Sequence, residues 1–446
     1  MKRFPRVAST WTRLLEPRAI RGAIALTLID LKTERNRRVP NPDEIIIAGA
    51  GIAGLTLALA LSAKGFQVQI FEKSAILTEA GAGLQLSPNA TRLLDRLGVL
   101  EQLKQASIVP QAICLHDGTS GEPLLHLPIG DIAQKRWGAP YIVCHRADLQ
   151  NALLNQARNQ PNIAIQLQSA VTQYTSGTDG ILVRVQYHDR IEEHHGALLA
   201  GADGVWSNMR NAMSDMDRAR YTGTIAWRSS IAVDQLPGSF AALLPQGSNV
   251  VAWTGANAHL IAYPIRFGQM INFVAVAPDR QTGRRWDAGA VPETPSQDFI
   301  REFAHWHHGI RDVMRIGRPW TPWRLFEMKR CRFQVEDRLV LIGDAAHAMT
   351  PYAAQGAAMA IEDACALAAA LDSDRANWPA ALTQFSKVRG RRVGAVVRRG
   401  AINHLAYRAR GPVAMLRNLI MRKRSAEKFL GELDWLYGYD AGDGTK

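Results

Sequence analysis

The sequence predicts an α/β chain: a Rossmann-like nucleotide-binding domain, an antiparallel β-sheet domain inserted into it, and C-terminal helices. Three observations carry this reading. A β-branched run leads into Gly49-Ala-Gly51-Ile-Ala-Gly54 and then into a Leu/Ala-rich helix pattern. A second buried strand far downstream, Arg338-Leu-Val-Leu-Ile, ends at Gly343-Asp344. Between them, short apolar runs recur at hairpin spacing. The 446 residues suffice for two intergrown domains. With 47% hydrophobic and 21% charged residues, wholesale disorder and fibrous repeats are excluded.

The first 42 residues are set apart as a basic extension, with ten Lys/Arg against three acids. Arg18 and Arg21 break its apolar stretch and no clean cleavage site follows, so a secretory signal is not expected. The expected reading is an upstream start codon or a disordered basic arm; the alternative is an organelle transit peptide, for which the segment is poor in serine. Because much of the formal +13 charge sits there, the remainder is only mildly basic and no nucleic-acid partner is expected. The four cysteines (Cys114, Cys144, Cys331, Cys365) lie too far apart for a disulfide framework or a cysteine-ligated zinc site, and no metal is expected. Such cysteines suit a reducing, cytoplasmic setting.

The nucleotide-binding domain opens with nineteen uncharged residues, Ile45 to Ala63, long enough to suggest a membrane span. Their internal order, a strand, a glycine turn and a packed helix, argues against one. In the turn, Gly49 permits the tight bend, Gly51 lets a pyrophosphate approach the backbone, and Gly54 lets the helix close on the strand. The helix N-terminus offers unpaired N–H groups to phosphates. A second strand, Gln67–Phe71, ends at Glu72, followed by Lys73; Glu72 can accept ribose hydroxyl protons and would repel a 2′-phosphate. The adenosine half is therefore NAD or FAD. The downstream Gly343-Asp344 favours FAD, because an aspartate at that strand end can bind ribityl hydroxyls. A helix starting near Gly356-Ala357 can aim its N-terminus at the flavin pyrimidine edge.

A third piece, Gly201-Ala-Asp203-Gly204-Val-Trp-Ser207-Asn-Met-Arg210, again marks a strand end. In order and spacing, the three motifs resemble the fingerprints of the single-component FAD-dependent aromatic hydroxylases of the p-hydroxybenzoate hydroxylase superfamily. The resemblance runs from about residue 43 to about residue 440. Gly81-Ala-Gly83-Leu-Gln-Leu-Ser-Pro-Asn89, His145-Arg146-Ala-Asp-Leu149 and Trp435-Leu-Tyr-Gly-Tyr-Asp440 look most like the salicylate, 3-hydroxybenzoate and 6-hydroxynicotinate hydroxylases. It implies that Arg146 contacts FAD, that Asp203 and Gly204 meet the flavin region, that Asp344 holds the ribityl chain, and that the Gly83 segment crosses the isoalloxazine face. Duller roles stand beside these: Arg146 as a helix cap, Asp203 as a turn former, His347 as a packed core histidine, Met349 and Met359 as core fillers.

Split motifs make the FAD-binding domain discontinuous, residues 43–220 plus 326–385. Residues 221–325 form the inserted substrate domain, with strand-like runs at Thr222–Val233, Asn249–Thr254, His259–Arg266 and Met270–Val276, and a helix over Pro295–Val313. Residues 386–446 form a C-terminal helical segment. Within it, Arg389 to Arg424 holds eleven Lys/Arg and no acid, which reads as a solvated or subunit-facing surface. A homodimer is compatible with this; membrane contact is not expected.

Hydroxylation of an aromatic ring by a flavin hydroperoxide needs a base for the phenolic proton. His259 and Tyr263 share one face of a strand, and in the hydroxylases resembled here a similar His-x-x-x-Tyr-Pro segment supplies the base. Arg228 and Arg266 are both candidates to grip a substrate carboxylate. Pro351 and Tyr352 stand where some relatives carry Gln or His, so the substrate is left open. The resemblance implies dioxygen and transiently bound NADH or NADPH as co-substrates. The alternatives are a membrane-surface FAD monooxygenase on a quinone or polyene, and a non-catalytic redox flavoprotein.

Overall fold

In the computed structural model, residues 44–77, 83–211, 218–279, 297–316 and 320–442 are described; the basic extension lies outside them. The run that suggested a membrane span is a strand, Glu44–Ala48, and a buried helix, Ile52–Ser62. Among the described residues no helix is long and apolar enough to cross a membrane.

Two sheets organise the molecule. The first runs Gln334–Glu336, Leu339–Leu341, Leu198–Gly201, Glu44–Ala48, Gln67–Phe71, Ile163–Gln166; only the edge strand Gln334–Glu336 is antiparallel. The residues of its three central strands are nearly all fully buried, as expected for a parallel sheet covered on both faces. The carboxyl ends of four neighbouring parallel strands, Leu339–Leu341, Leu198–Gly201, Glu44–Ala48 and Gln67–Phe71, bring Asp344, Asp203, Gly49 and Glu72 to one side, the usual place for a ligand in an open parallel sheet.

The second sheet has seven strands, in the order Thr321–Glu327, Arg220–Ala232, Met270–Pro278, His259–Ile265, Asn249–Thr254, Ala112–Asp117, Pro123–Pro128. The expected hairpin strands are all present. Two further strands come from residues 112–128, and Ala112–Asp117 pairs parallel to Asn249–Thr254, so this sheet is mixed. A three-stranded antiparallel sheet, Ser169–Gly177, Gly180–Tyr187 and Arg190–Gly196, was not foreseen. The helix expected over 295–313 is, among the described residues, two helices, Gln297–Arg301 and His308–Arg315. His307 separates them: its Nδ1 accepts from Gly309 N at 3.2 Å and caps the second helix, while its own N–H donates to Gly118 O.

The C-terminal basic segment also differs from expectation. Helix Trp378–Tyr407 is followed by helix Gly411–Lys423, and Arg389, Arg392 and Arg417 point inward, each less than a tenth exposed. The Arg389 Nη1 and Nε groups donate to Glu362 Oε2 (2.7 Å) and Asp363 Oδ1 (2.8 Å), and Arg392 donates to both Glu362 oxygens. Asn89 donates to Glu362 Oε1, and Gly343 N to Asp363 Oδ2. One buried ionic cluster thus ties the C-terminal helix to the Gly343-Asp344 turn. Arg389→Ala takes one ionic partner from each of two buried carboxylates, so about 3–5 kcal/mol of stability should be lost in urea unfolding.

Candidate active site

A cleft of about 490 Å³ opens between the parallel sheet and the second sheet, within the range of small-molecule sites. Its nucleotide-side lining includes Gly49, Gly51, Glu72, Lys73, Gly83, Arg146, Asp203, Gly204, Asp344, Gly356 and Ala357. Two expected glycines work behind the surface. A Cβ on Gly54 would sit 1.9 Å from Gly49 O, so only glycine lets the helix close there. Gly343, at φ +58°, turns the strand into Asp344, and its N–H is held by Asp363.

The cradle's geometry fits a dinucleotide. A Cβ on Gly51 would meet nothing within 4 Å, so the loop faces open space. Glu72 accepts from Ala50 N (2.8 Å) and Ser74 N (2.9 Å), which ties the second strand's end to the glycine turn and aims the carboxylate into the cleft. Asp203 accepts from Asn208 N at 2.8 Å, while its Oδ1 is buried with no hydrogen-bond partner among the described residues. Burial pushes its carboxyl up from the usual range, against the opposing hydrogen bonds. Such an orphan acceptor at the rim awaits a ligand donor. Helix Gly356–Ser373 has no side-chain cap, so its N-terminal N–H groups are open toward the cleft beside Gly356 and Ala357.

Arg146 begins helix Arg146–Arg158, but the cap is His145, whose Nδ1 accepts from Ala147 N; Arg146 itself lines the cleft. Arg210 is buried and donates to the Ala345 and Ala346 carbonyls, locking the Asp203 and Asp344 segments together. Asn272 escaped the sequence reading. It is fully buried, and its Oδ1 accepts from Gly83 N at 2.9 Å, anchoring the Gly83 strand against Tyr263. No sequence pattern marks it, since the contact spans 189 residues. His347 is a packed residue, bonded through Nε2 to Asp363 at 2.5 Å. Met359 is core, whereas Met349 lines the cleft.

On the opposite wall lie Arg228, Ile261, Tyr263, Val274, Leu325 and Pro351. Of the two arginine candidates the cleft contains Arg228, whose guanidinium lies 5.0 Å over the Trp323 ring. Arg266 is exposed on the turn after the strand and does not line the cleft. Tyr263 is nearly buried, and burial pushes its phenol up, with the Arg228 charge opposing; it stays a neutral hydrogen-bond donor. His259 lies on the same strand face, yet outside the cleft lining. It is buried with its ring 5.7 Å from Tyr352 and 5.0 Å from Tyr407. Burial, helped by the nearby His404 and Arg408, drives its pKa down to about 3. Tyr352, expected at the substrate site, does not line the cleft; its ring packs against His259 and stacks on His404.

A glycine cradle facing an aromatic, arginine-bearing wall defines a flavin-dependent oxidoreductase, and comparison with known proteins agrees. The chain belongs to the family described as FAD binding domain, whose model matches residues 43–399. It is 31% identical to 3-hydroxybenzoate 6-hydroxylase of Polaromonas naphthalenivorans (strain CJ2), over 90% of this chain and 96% of that protein. It is also 31% identical to 6-hydroxynicotinate 3-monooxygenase of Bordetella bronchiseptica (strain ATCC BAA-588 / NCTC 13252 / RB50), over 72% of this chain and 81% of that one. A salicylate hydroxylase substrate complex shares the fold, with a TM-score of 0.75, 23% identity, and coverage of 91% and 97% of the two chains. The protein is an FAD-dependent aromatic hydroxylase, and NAD(P)H is the co-substrate standard for this class.

Proposed function

We propose that the protein hydroxylates a small phenolic or hydroxypyridine carboxylic acid, with NADH or NADPH and dioxygen as co-substrates. The observation that supports this best is the joining of Arg228 and Tyr263 to the glycine cradle in one cleft. Bound FAD supplies the redox chemistry, passing electrons from the nicotinamide to dioxygen and one oxygen atom to the ring. Gly49, Gly51 and the following helix N-terminus hold the pyrophosphate, Glu72 the adenosine ribose, and Asp203 and Asp344 the flavin half.

The chain's own residues then orient the substrate. Arg228 grips the carboxylate, and its stacking on Trp323 restricts where the fork points. Tyr263 donates to the phenolic oxygen. Ile261, Val274 and Leu325 exclude water from the ring, and Pro351 makes the remaining wall apolar, where a Gln or His would offer a hydrogen bond. The phenolic proton leaves toward His259 through a water, because the Tyr263 O–H is engaged as a donor to the phenolic oxygen. Burial holds the His259 pKa low, so without a substrate anion the ring is neutral and a weak proton acceptor. A substrate anion in the cleft raises that pKa by favouring the imidazolium. The four free cysteines support a reducing, cytoplasmic setting.

The test is His259→Ala, scored as product formed per NAD(P)H oxidised. FAD content should hold, because the residue lies outside the cradle. Product formation should fall about 10²–10⁴-fold, while NAD(P)H oxidation continues with hydrogen peroxide release. A variant with wild-type coupling and an unaltered pH profile assigns His259 to packing alone.

A further inference from the structure

Gln85, in the strand Gly83–Leu86, is half-buried and lines the cleft. Gly83 and Gln85 leave that strand on one face. At Gly83 the face meets the substrate wall, since a Cβ there would lie 2.8 Å from Tyr263 Oη. The Gln85 carboxamide therefore leaves the strand on the Tyr263 side. One end of it is engaged: Tyr141 Oη donates to Gln85 Oε1 at 2.6 Å. Tyr141 is 2% exposed, and burial raises its phenol well above the ordinary range, with the Tyr437 and Tyr263 phenols close enough to add to the effect. It keeps its proton. Were the amide turned over, that buried O–H would have no acceptor among the described residues, the costlier of the two arrangements. Oε1 is thus fixed on Tyr141. Nε2 is not enclosed and meets no acceptor among the described residues, so its N–H groups are open to the cleft.

We infer that Gln85 is a second donor to the phenolic oxygen of the substrate, beside Tyr263. A phenol oxygen carries two lone pairs and one proton. Tyr263 O–H and Gln85 Nε2–H take the lone pairs, and the proton is left pointing to the water that leads to His259. Two donors on that oxygen favour its anion, the electron-rich form that hydroxylation requires. Pro351 offers no donor, so the amide comes from the cradle side of the cleft instead. This inference rests on the cleft being the site where a phenolic acid is hydroxylated.

The C-terminal motif at residues 435–440 seats the lock. Tyr437 is buried, its ring centroid 6.0 Å from that of Tyr141 and 5.0 Å, edge-on, from that of Trp137. Arg392, from the buried ionic cluster, donates to the Trp435 and Leu436 carbonyls at 2.8 and 2.9 Å. Trp137 Nε1 donates to Asp434 Oδ1 at 2.8 Å. The segment so anchored packs Tyr141 in place, and Tyr437 is a positioning residue that acts on Gln85 through Tyr141.

Dissociation constants of benzoate and of 2-, 3- and 4-hydroxybenzoate test this, read from the flavin absorbance of the FAD-loaded chain without NAD(P)H. In the wild type at least one hydroxybenzoate should bind about tenfold or more tighter than benzoate. Gln85→Leu should cut that advantage about 3- to 10-fold, the worth of one hydrogen bond, and leave benzoate binding within about twofold. Gln85→Glu, isosteric and still accepting from Tyr141, donates nothing; it should cut the advantage at least as far, and further as rising pH ionises the phenol. It carries the test should the leucine variant not fold. Tyr141→Phe and Tyr437→Leu free the amide to turn and should each cut the advantage about 2- to 4-fold. FAD content should hold in all four variants. If no hydroxybenzoate binds the wild type more tightly than benzoate, a phenolic substrate is overturned and this inference with it. An undiminished advantage in Gln85→Leu overturns the inference alone. So does a shifted flavin spectrum in that variant before any acid is added, which assigns Nε2 to the cofactor. Wild-type advantage in both Tyr141→Phe and Tyr437→Leu overturns the lock.

Discussion

Gly51→Val should give a folded but colourless protein. At φ −74° and ψ −174° the residue is extended, a conformation valine adopts readily, and a Cβ there meets no protein atom within 4 Å. The fold therefore tolerates the side chain. The pyrophosphate does not, because the isopropyl group stands in the space through which phosphate oxygens reach the backbone N–H groups. Losing two or more charge-assisted hydrogen bonds, at about 1.5–3 kcal/mol each, raises the FAD dissociation constant roughly 150-fold or more. Flavin absorbance per chain, read beside circular dichroism, checks this. Gly54→Val supplies the contrast: its Cβ would strike Gly49 O at 1.9 Å, so that variant should misfold rather than merely lose flavin. Stoichiometric flavin in Gly51→Val would place the dinucleotide elsewhere.

Arg228→Ala should raise KM for a carboxylated substrate by about 10- to 150-fold, the equivalent of a lost charge-assisted pair at about 1.5–3 kcal/mol. FAD content should be unchanged, and a phenol without a carboxylate should be turned over as before, since it never used the guanidinium. Arg228→Lys should rescue only part of the loss, because an ammonium keeps the charge but not the planar fork or the stacking on Trp323. Steady-state kinetics on paired acids and their decarboxylated analogues separate the outcomes. An equal loss on both would mean that Arg228 shapes the wall instead of binding the carboxylate.

Much of this arrangement was legible in the chain. Gly49, Gly51, Gly54 and Glu72 lie within 24 residues, and the physics that constrains them is local: a turn, a helix start, a strand end. Strand Gln67–Phe71 falls where the residues place it. The hairpin runs of the second sheet were readable for the same reason, as alternation along single strands. What escaped depends on partners distant in sequence. Residues 112–128 join the second sheet through a parallel pairing with Asn249–Thr254, and nothing in their own pattern announces it. The eleven cations from Arg389 to Arg424 read as surface, yet three turn inward because Glu362, Asp363 and the Ala406 carbonyl await them. Strand periodicity puts His259 and Tyr263 on one face, which they share; that Tyr263 lines the cleft while His259 packs against Tyr352 of the turn Pro351–Ala353 depends on partners distant in sequence. Arg228 and Arg266 look alike in sequence and part company only in space.

The central claim is that this cleft transfers one oxygen atom to a small aromatic acid at the expense of NAD(P)H. The direct measurement incubates the purified, FAD-loaded protein with hydroxybenzoates and hydroxypyridine carboxylates, each with NADH and with NADPH, under oxygen-18 gas. The account predicts that at least one acid stimulates NAD(P)H oxidation and emerges with a single labelled oxygen on its ring. If no acid in that panel stimulates oxidation or gains label, the flavin-dependent hydroxylation of small aromatic acids is contradicted.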